Sequence, residues 1–464
     1  MNAGFVDLHE RSLADGRARK VAESLRGDGV SGVALTFVDN TGATRVKSVP
    51  VSRLPHAAAW GVGMSPVFDV FLVDDSMTTS SEIGGPGGDL RLHPDLSRLT
   101  PLHAQPGWAW APADRYTQDG EVHVACQRSF ARRMVGQAAA AGVEARMGFE
   151  VEWMVGRQAG DGDFVPACAG PAYGMARLVE GSDYCRDLYE ALAAQGVSVE
   201  QLHPEYAAGQ FEISTAPAGP VEAADVNVLV RETVRAVSAR HGLRVSFAPA
   251  VVAGTVGNGA HVHMSLWRDG SNLFAGGNRR YGLTPPGESA LAGLLSELPA
   301  LVAVSAPSVG SYLRLVPSRW AGAYRCWGRE NREAALRLVT GPVGSESVAA
   351  NVEVKCVDAS ANPYLVVGAL LAVVLAGLGR RLRLPDETPG DPAASSEDEL
   401  AARGVERLPQ QLDDALTHLA GSQVVREALG GALYEAFVAV RRAEIALFAG
   451  RSPEQVAAAT RWRY

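Results

Sequence analysis

One stretch constrains the fold more than any other, the run Gly257–Ser265 (Gly-Asn-Gly-Ala-His-Val-His-Met-Ser). Its alternating apolar and polar residues predict a strand over Ala260–Leu266, because side chains two residues apart share one face of a strand. That strand would present His261, His263 and Ser265 together. Such a face is either a hydrogen-bonded or solvated histidine pair or part of a metal site, and the run alone leaves both interpretations open.

The charge and the cysteines exclude several classes of protein. With 464 residues, a net charge of −8 and scattered basic residues, the chain offers no surface for nucleic acid. Its five cysteines form no Cys-x-x-Cys pair, which favours a reducing cytoplasm. The apolar run Leu365–Leu378 spans 14 residues, too few to cross a membrane, and predicts a buried helix. The first ten residues lack a secretory signal. We expect a soluble, cytoplasmic protein with a small-molecule partner.

Local patterns predict a small N-terminal sheet followed by a larger domain of helices and strands. Strand-type residues flank a turn at Asp39–Gly42, which indicates a hairpin over 33–49. The segment Thr78–Gly88 is expected to be a loop, and the Pro-rich segment 101–114 to mark the domain junction. Ser452–Gln455 predicts a helix start with a capping box. The other predictions are helices at 15–27, 129–141, 182–195 and 223–241, strands at 146–155 and 209–214, and an acidic loop at 385–399.

Carboxylates recur in apolar segments. Glu150 and Glu152 lie two residues apart, so a strand would send both to one face. An exposed strand would show the same pattern, but the neighbouring Phe149 and Trp153 favour burial. Other carboxylates occur near apolar strand segments, at Glu205, Glu212 and Glu353. With His261 they offer hard oxygen ligands and one imidazole, a set suited to Mg²⁺ or Mn²⁺.

A basic segment supplies groups that bind anions. Several arginines lie between Ser311 and Arg337 among apolar and small residues. Planar guanidinium groups suit carboxylates and phosphates. Alone, this segment would be a solvated face. Beside the carboxylates, binding of ATP phosphates and of a substrate carboxylate is the better account.

In combination, these motifs resemble the glutamine synthetase family over nearly the whole chain. The matching segments are Asp89–Asp95, Glu150–Glu152, Gly209–Glu212, Gly259–Ser265, Ser311–Pro317, Asn331–Arg332 and Asp358–Tyr364. The resemblance implies an α+β fold, with an N-terminal β-grasp domain over 1–112 and a catalytic domain over 113–464 built around a curved antiparallel sheet. It also implies a homo-oligomer, a dodecamer of two hexameric rings whose active sites are shared between subunits.

The resemblance further implies an ATP-dependent ligase. ATP would phosphorylate the γ-carboxylate of L-glutamate, and a primary amine would then displace phosphate to leave an amide. About two to three Mg²⁺ or Mn²⁺ ions per site would neutralise the polyphosphate.

The resemblance assigns roles residue by residue. One metal would be held by Glu152, Glu205 and Glu212. The second would be held by Glu150, His261 and Glu353. The nucleotide and its phosphates would contact His263, Ser265, Arg332 and Arg337. Glutamate would be bound by Gly257, Gly259 and Arg314, the last at its α-carboxylate. The retained parts of the amine site would be Asp89 and Tyr173.

The chain departs from the family where ammonium is bound. The family's flap carries an acid three residues after the position of Pro317, where this chain has Trp320. A second acid of the family falls at Ser65, with Asp69 as a fallback in an uncertain register. Two further substitutions lie on the glutamate side, Val256 for the usual Asn and Lys355 for a substrate-facing Arg.

Loss of the acidic clamp with retention of both metal sites predicts a larger acceptor amine. Trp320 would pack on an alkyl tail or offer a cation–π face. Because a second positive charge should prefer a retained acid, the favoured acceptor is a short neutral-tailed amine such as ethanolamine. The alternatives are a γ-glutamylpolyamine synthetase, a glutamine synthetase that uses ammonia, and a non-catalytic scaffold. The second of these is disfavoured because Gly404–Pro409 stands where regulated bacterial enzymes carry an adenylylated tyrosine.

Overall fold

Two sheets organise the chain, each against its own main hydrophobic core. The computed structural model describes residues 8–157 and 164–464. The first sheet has the strand order β2-β1-β6-β4-β3, with β5 paired to β6. The elements of this N-terminal part are α1 (Leu8–Gly27), β1 (Gly32–Val38), β2 (Thr44–Pro50), α2 (Leu54–Trp60), β3 (Val62–Met64), β4 (Leu90–Pro94), β5 (Thr100–Pro101) and β6 (Trp108–Thr117).

The predicted hairpin over 33–49 is confirmed as β1 and β2, which pair antiparallel. The Asp39 carboxylate accepts the backbone N–H of Thr41 at 2.8 Å and of Ala43 at 3.1 Å, which closes the turn. Gly42 completes it with a φ of 81°, a backbone conformation that glycine adopts without steric cost. Helices α1 and α2 cover the sheet with small and aliphatic side chains such as Ala22 and Leu54.

The domain boundary predicted at residue 112 falls inside β6. This strand runs parallel to β1 and antiparallel to β4, so it belongs to the first sheet as far as Thr117. Prolines mark the segment that the sequence placed at the junction, but Pro112 sits in the strand itself, aligned with Thr36 of β1.

The larger part of the chain surrounds a second sheet. Its elements are α3 (Gln127–Ala140), β7 (Glu144–Arg157), α4 (Met175–Glu180), α5 (Ser182–Ala194), β8 (Val199–Pro204), β9 (Gln210–Thr215), α6 (Pro220–Arg240), β10 (Leu243–Ser246), β11 (Val262–Arg268), β12 (Ser271–Asn272), α7 (Pro285–Ser305), α8 (Ser311–Arg314), β13 (Tyr324–Arg329), β14 (Ala334–Val339), α9 (Glu346–Ala349), β15 (Asn351–Val354), α10 (Pro363–Arg380), α11 (Glu397–Ala402), β16 (Glu406–Arg407), α12 (Leu412–Gly421), α13 (Gln423–Leu429), α14 (Gly431–Leu447) and α15 (Pro453–Thr460).

The second sheet follows the order β16-β13-β14-β15-β11-β7-β9-β8, with β10 and β12 at its sides. Its neighbouring strands are antiparallel except β13 and β14, which run parallel. The expected α+β fold with a largely antiparallel catalytic sheet is therefore confirmed. The central strands β15, β11, β7 and β9 carry the chemically interesting side chains.

Helices α7 and α10 are apolar and long enough to span a membrane, but both are mostly buried within the protein. They pack so closely that a Cβ added at Gly293 would lie 2.8 Å from the Cα of Gly377. The Asn362 side chain caps α10 by accepting the backbone N–H of Tyr364 at 2.9 Å. The buried helix predicted from Leu365–Leu378 is thus confirmed.

Other local predictions hold with shifted ends. The capping box at Ser452 is present, with its Oγ accepting the backbone N–H of Gln455. Residues 78–88 form neither helix nor strand. The acidic loop expected at 385–399 ends earlier, because a second capping box at Ser396 starts α11. The prediction about a secretory signal concerns the first ten residues, of which residues 1–7 lie outside the described chain.

Candidate active site

Strand register brings the carboxylates together. Glu152 of β7 lies opposite Glu212 of β9, and Glu353 of β15 lies opposite His263 of β11. Glu150 is two residues before Glu152 on the same strand, as the sequence pattern required. One sheet surface therefore collects acids and imidazoles from four neighbouring strands or their ends.

The first cluster consists of Glu150, His261 and Glu353, whose ligand atoms lie within 4.8 Å of one another. His261 Nδ1 is 3.3 Å from Glu150 Oε2 and 3.2 Å from Glu353 Oε1. Burial opposes ionisation of Glu150, but hydrogen bonds from His261 and His263 outweigh it and lower the pKa of this carboxyl. An anionic carboxylate is the form that binds a cation.

The second cluster consists of His203, Glu205 and Glu212. His203 Nδ1 is 3.6 Å from Glu205 Oε1, and its Nε2 is 3.3 Å from Glu212 Oε1. Burial, together with the charges of Glu152 and Glu212, raises the pKa of Glu205 to about 7. The hydrogen bond to Glu212 raises the pKa of His203 to about 9. Acids with raised pKa values crowded together are a favourable place for an added cation.

Glu152, expected with Glu205 and Glu212, lies between the two clusters. Its Oε2 accepts the backbone N–H of Gly259 at 3.0 Å and the side-chain amide of Gln210 at 3.0 Å. Its Oε1 is 4.0 Å from His261 Nε2. His203 is instead the residue grouped with Glu205 and Glu212.

Lys355, expected to face the substrate, pairs with Glu353 in this structure. The residue is 3% exposed, and its ammonium donates to Glu353 Oε1 at 2.8 Å. Arg337 donates to the other oxygen, Oε2, at 3.0 Å. Burial resists ionisation of Glu353, but Lys355 and the histidines reverse this and hold the pKa of its carboxyl well below the ordinary range. Glu353 is consequently a negatively charged, fully buried carboxylate that contacts both Lys355 and Arg337.

The glycine segment packs directly beneath Arg314. A Cβ added at Gly259 would lie 2.7 Å from His261 Nε2 and 2.8 Å from Arg314 Nη2, and one added at Gly257 would lie 1.9 Å from a backbone oxygen. Only glycine therefore fits these positions. Arg314 is buried and donates to His261 at 3.1 Å, while its Nη1 has no hydrogen-bond partner in the described residues.

His263 and Ser265 continue the same strand. His263 Nδ1 is 2.8 Å from Asn351 Oδ1, and its Nε2 is 3.1 Å from Glu150 Oε1. Burial disfavours the imidazolium, but Glu150 more than offsets this and raises the pKa of His263 to about 9. The Ser265 hydroxyl accepts the indole N–H of Trp267 at 2.9 Å, so it is already engaged within the fold.

The segment Pro317–Gly322, which we call the flap, carries Trp320. Ser318 and Trp320 have φ values of 55° and 53°, in the left-handed region that ordinary residues seldom adopt. Trp320 is 52% exposed, and the Arg332 guanidinium lies 5.7 Å from its ring centroid. The backbone N–H of Trp320 donates to Glu333 Oε1 at 2.9 Å. The flap thus presents an aromatic ring at the surface and rests on a buried acid.

Residues assigned to the amine site fall in separate places. Tyr173 is half-exposed beside the second cluster, its ring 6.3 Å from that of His203. Burial and the Glu205 charge raise the pKa of the Tyr173 hydroxyl. Ser65 and Asp89 lie at the ends of β3 and β4 in the first sheet. Ser65 caps a short helical turn by accepting the backbone N–H of Val67 at 3.2 Å.

Asp69, the fallback for Ser65, is fully buried. Its carboxylate accepts from Arg115 at 2.7 Å and lies 3.1 Å from His123 Nε2. The amide of Gln127 donates to it at 3.2 Å. Asp69 therefore joins the N-terminal part to the first helix of the larger domain.

Sequence reasoning missed His203, Gln210 and Glu333. His203 precedes Glu205 by two residues, the same spacing that drew attention to Glu150 and Glu152, so that signal was present. Gln210 donates from one amide to Glu152 and to the carbonyl of Gly257, at 3.0 Å each. A lone amide or acid in a strand carries no such pattern, and only the folded contacts reveal its role.

The comparisons with known proteins agree with this geometry. Residues 124–458 match the family model of the glutamine synthetase catalytic domain. The chain is 57% identical over 450 residues to the gamma-glutamylpolyamine synthetase GlnA3 of Streptomyces coelicolor, covering 97% of each chain. It is 30% identical to a glutamine synthetase of Methanococcus maripaludis, over 91% of this chain and 94% of that one.

Solved structures of the same kind superpose well. One, described as a novel glutamine synthase homolog, has a TM-score of 0.84 at 34% identity, with 94% of this chain and 99% of that chain covered. Another, a GmaS complex with ADP, has a TM-score of 0.81 at 28% identity, with 93% and 96% covered. These matches show that the chain belongs to the glutamine synthetase family and is an ATP-dependent ligase that forms carbon–nitrogen bonds.

Proposed function

We propose that this enzyme joins the γ-carboxylate of L-glutamate to a primary amino group of a polyamine through γ-glutamyl phosphate. One observation carries the proposal: two acid and histidine clusters are complete, whereas the flap beside them presents Trp320 in place of an acid. The similarity to a gamma-glutamylpolyamine synthetase over nearly the whole chain supports the same acceptor.

The ethanolamine acceptor favoured from the sequence is not supported. That preference assumed that no acid remained near Trp320 to meet a second positive charge. Glu333 is such an acid, 6% exposed and hydrogen-bonded to the backbone of Trp320. The polyamine alternative therefore fits both the flap and the comparisons better.

The side chains of the two clusters fit divalent metals of the hard type. Carboxylate oxygens predominate, with one imidazole in each cluster, which suits Mg²⁺ or Mn²⁺ better than zinc. We assign one site to Glu150, His261 and Glu353, and another to Glu205, Glu212 and either His203 or Glu152. Bound metal would supply charge neutralisation for the triphosphate and for the carboxylate that is phosphorylated.

The arginines would orient the two anionic substrates. Arg314 has a buried, unpartnered Nη1 among the described residues, which suits the α-carboxylate of glutamate. Arg332 and Arg337 would contact the phosphates of ATP, where they would stabilise charge on the transferred phosphoryl group. His263 would lie beside the nucleotide, and Ser265 would help to fix the strand there through its bond to Trp267.

The acceptor must lose a proton before it attacks, because an alkylammonium has a pKa of about 10. We propose that Trp320 desolvates the ammonium, which favours its neutral form, and that Asp89 accepts the proton. Tyr173 and Ser65 would orient the amine. The attack then forms the amide bond and releases phosphate.

Ser65 and Asp89 lie at the ends of β3 and β4, away from the two clusters in sequence, and the resemblance implies active sites shared between neighbouring subunits. We therefore propose a homo-oligomer, a dodecamer of two hexameric rings, with Asp89 completing the site of a neighbouring subunit. Co-expression of Asp89→Ala and Glu353→Gln chains, each inactive alone, should restore activity in mixed oligomers. Sites confined to one chain would give no recovery.

We also place the enzyme in the cytoplasm, where the five buried cysteines, all free, would stay reduced.

A phosphate-release screen tests the function. Purified enzyme with ATP, glutamate and Mg²⁺ or Mn²⁺ is offered ammonium, ethanolamine, putrescine, spermidine and an aromatic amine, and products are identified by mass. We expect the highest kcat/KM with putrescine or spermidine, and a γ-glutamyl amide as product. Faster turnover with ammonium than with any organic amine would overturn the proposal.

A further inference from the structure

Glu333 is a buried acid with one oxygen committed to the flap and one oxygen unused. Its Oε1 accepts the backbone N–H of Trp320 at 2.9 Å. Its Oε2 is fully enclosed and has no hydrogen-bond partner in the described residues. The side chain is 6% exposed. A buried carboxylate oxygen without a donor is costly, and such a group calls for an explanation.

The hydrogen bond to the flap accounts for only one of the two oxygens of the Glu333 carboxylate. A single amide or hydroxyl acceptor would hold the Trp320 N–H equally well without burying a charge. A weaker backbone hydrogen-bond interaction from Ser318, like the one from Trp320, lowers the pKa of the Glu333 carboxyl, so the acid faces the flap backbone. The second oxygen, and the charge itself, therefore point to a cation that is not part of this segment.

The fixed charges around Glu333 do not neutralise it. Burial raises the pKa of its carboxyl, and the charge of Asp391 adds to this effect while Lys355 opposes it. Lys355, however, already donates to Glu353 at 2.8 Å. Arg332 lies over the Trp320 ring and Asp391 accepts the Ser318 hydroxyl at 2.8 Å. Among the described residues, Glu333 thus has no cation that is not already engaged elsewhere.

The location is adjacent to the metal-binding surface. A Cβ added at Gly322, at the base of the flap, would lie 3.0 Å from Lys355 Cβ and 2.9 Å from Ala335 Cα. Lys355 in turn contacts Glu353 of the first cluster. The flap, Glu333 and the carboxylate clusters therefore lie next to one another in the same region of the protein.

We propose that Glu333 determines specificity by binding the second ammonium group of the acceptor, with Trp320 covering the methylene chain. This inference rests on the proposed function. A charged hydrogen bond inside a partly enclosed site distinguishes a diamine from a monoamine of equal length far more strongly than an alkyl contact does. The ammonium reaches Oε2 when the flap lifts, and the indole closes over the chain afterwards.

The sharpest test compares putrescine with butylamine, because the two share a four-carbon chain and differ in the second ammonium. In Glu333→Gln the amide oxygen can still accept the Trp320 N–H while the charge is lost. We expect KM for putrescine to rise about tenfold or more and KM for butylamine to change less than about twofold. Glu333→Asp, which keeps the charge, should retain part of the preference for putrescine.

The matched control is Asp398→Asn, at an exposed acid in the first turn of α11, which should leave the preference intact. Equal losses for both amines in Glu333→Gln would show a merely structural role and overturn the inference. So would a wild-type enzyme that uses putrescine and butylamine equally well. If wild-type enzyme uses ammonium alone, the proposed function fails first, which separates the two failures.

Discussion

The sheet surface that carries the two acid and histidine clusters lies beside the flap, but the two regions are held in different ways. On the metal side, Glu353 is fixed by Lys355, Arg337 and His261, all within 3.2 Å, and it belongs to a central strand. On the amine side, Trp320 is half-exposed, lies in a loop with left-handed residues, and is held by one backbone hydrogen bond. Because the side chains around Glu353 hold one another in place, a substitution there would disturb the sheet. A substitution in the flap can instead change the acceptor amine without disturbing the sheet.

The largest effect is expected from Glu353→Gln. This change removes the negative charge of the carboxylate and leaves Lys355 as a buried cation without its partner, while Arg337 keeps Glu330 at 3.2 Å. We expect activity to fall by about 10³-fold and the free energy of unfolding by about 3–5 kcal/mol. Phosphate release and urea unfolding measure the two effects. Glu346→Gln, at an exposed acid that only accepts a backbone N–H, should behave like wild type.

Asp69→Asn tests whether Asp69 stabilises the fold or contributes to the amine site. Because Arg115 would remain buried without its anion, the free energy of unfolding should fall by about 3 kcal/mol or more, with the ratio of kcat/KM between amines unchanged. Burial disfavours ionisation of Asp69, but Arg115 and His123 outweigh it and lower the pKa of its carboxyl.

That shift fixes the sign of the pH dependence. The stability contributed by Asp69 is fully present above the unfolded carboxyl pKa of about 4 and is lost as pH falls through the lower folded pKa. Denaturation measured from neutral to acidic pH should show this loss in wild type and a flatter profile in Asp69→Asn. A change in amine preference in the variant would place Asp69 in the amine site after all.

Trp320→Ala tests the contribution of the flap to the use of the acceptor amine. Loss of the ring should lower kcat/KM for putrescine about fivefold to tenfold, since a cation–π contact and apolar cover are both removed. KM for ATP should not change. In Trp320→Glu, an acid returns to the flap, and ammonium-dependent phosphate release should rise. Trp60→Ala, at another exposed tryptophan in α2, is the control and should alter neither value.

The smallest effect is expected at Ser65. Ser65→Ala removes the cap that accepts the Val67 N–H, which should cost about 1 kcal/mol of stability. If its hydroxyl also orients the amine, kcat/KM for putrescine should fall about twofold while that for glutamate stays constant. A stability loss without any kinetic change would confine Ser65 to the fold.

The parts of the molecule that were predictable depend on local patterns. Alternation placed Glu150 and Glu152 on one strand surface, and turn and capping residues located the β1–β2 hairpin and the start of α15. Such patterns work because neighbours along the chain fix the geometry. The matched order of motifs then predicted the catalytic sheet.

Contacts between distant segments were not predictable in the same way. No sequence pattern distinguishes Glu333, because its role depends on the hydrogen bond that it accepts from the flap backbone. The strand that contains residue 112 pairs with β1, more than 70 residues earlier in the chain, and no local pattern indicates that pairing.

Direct competition between amines tests the central claim most closely. Equimolar ammonium and spermidine are offered together with glutamate, ATP and Mn²⁺, and the ratio of γ-glutamylspermidine to glutamine gives the ratio of their kcat/KM values. The account predicts that γ-glutamylspermidine predominates by about tenfold or more in wild type, and that Trp320→Glu shifts the ratio toward glutamine. Predominance of glutamine in wild type would contradict it.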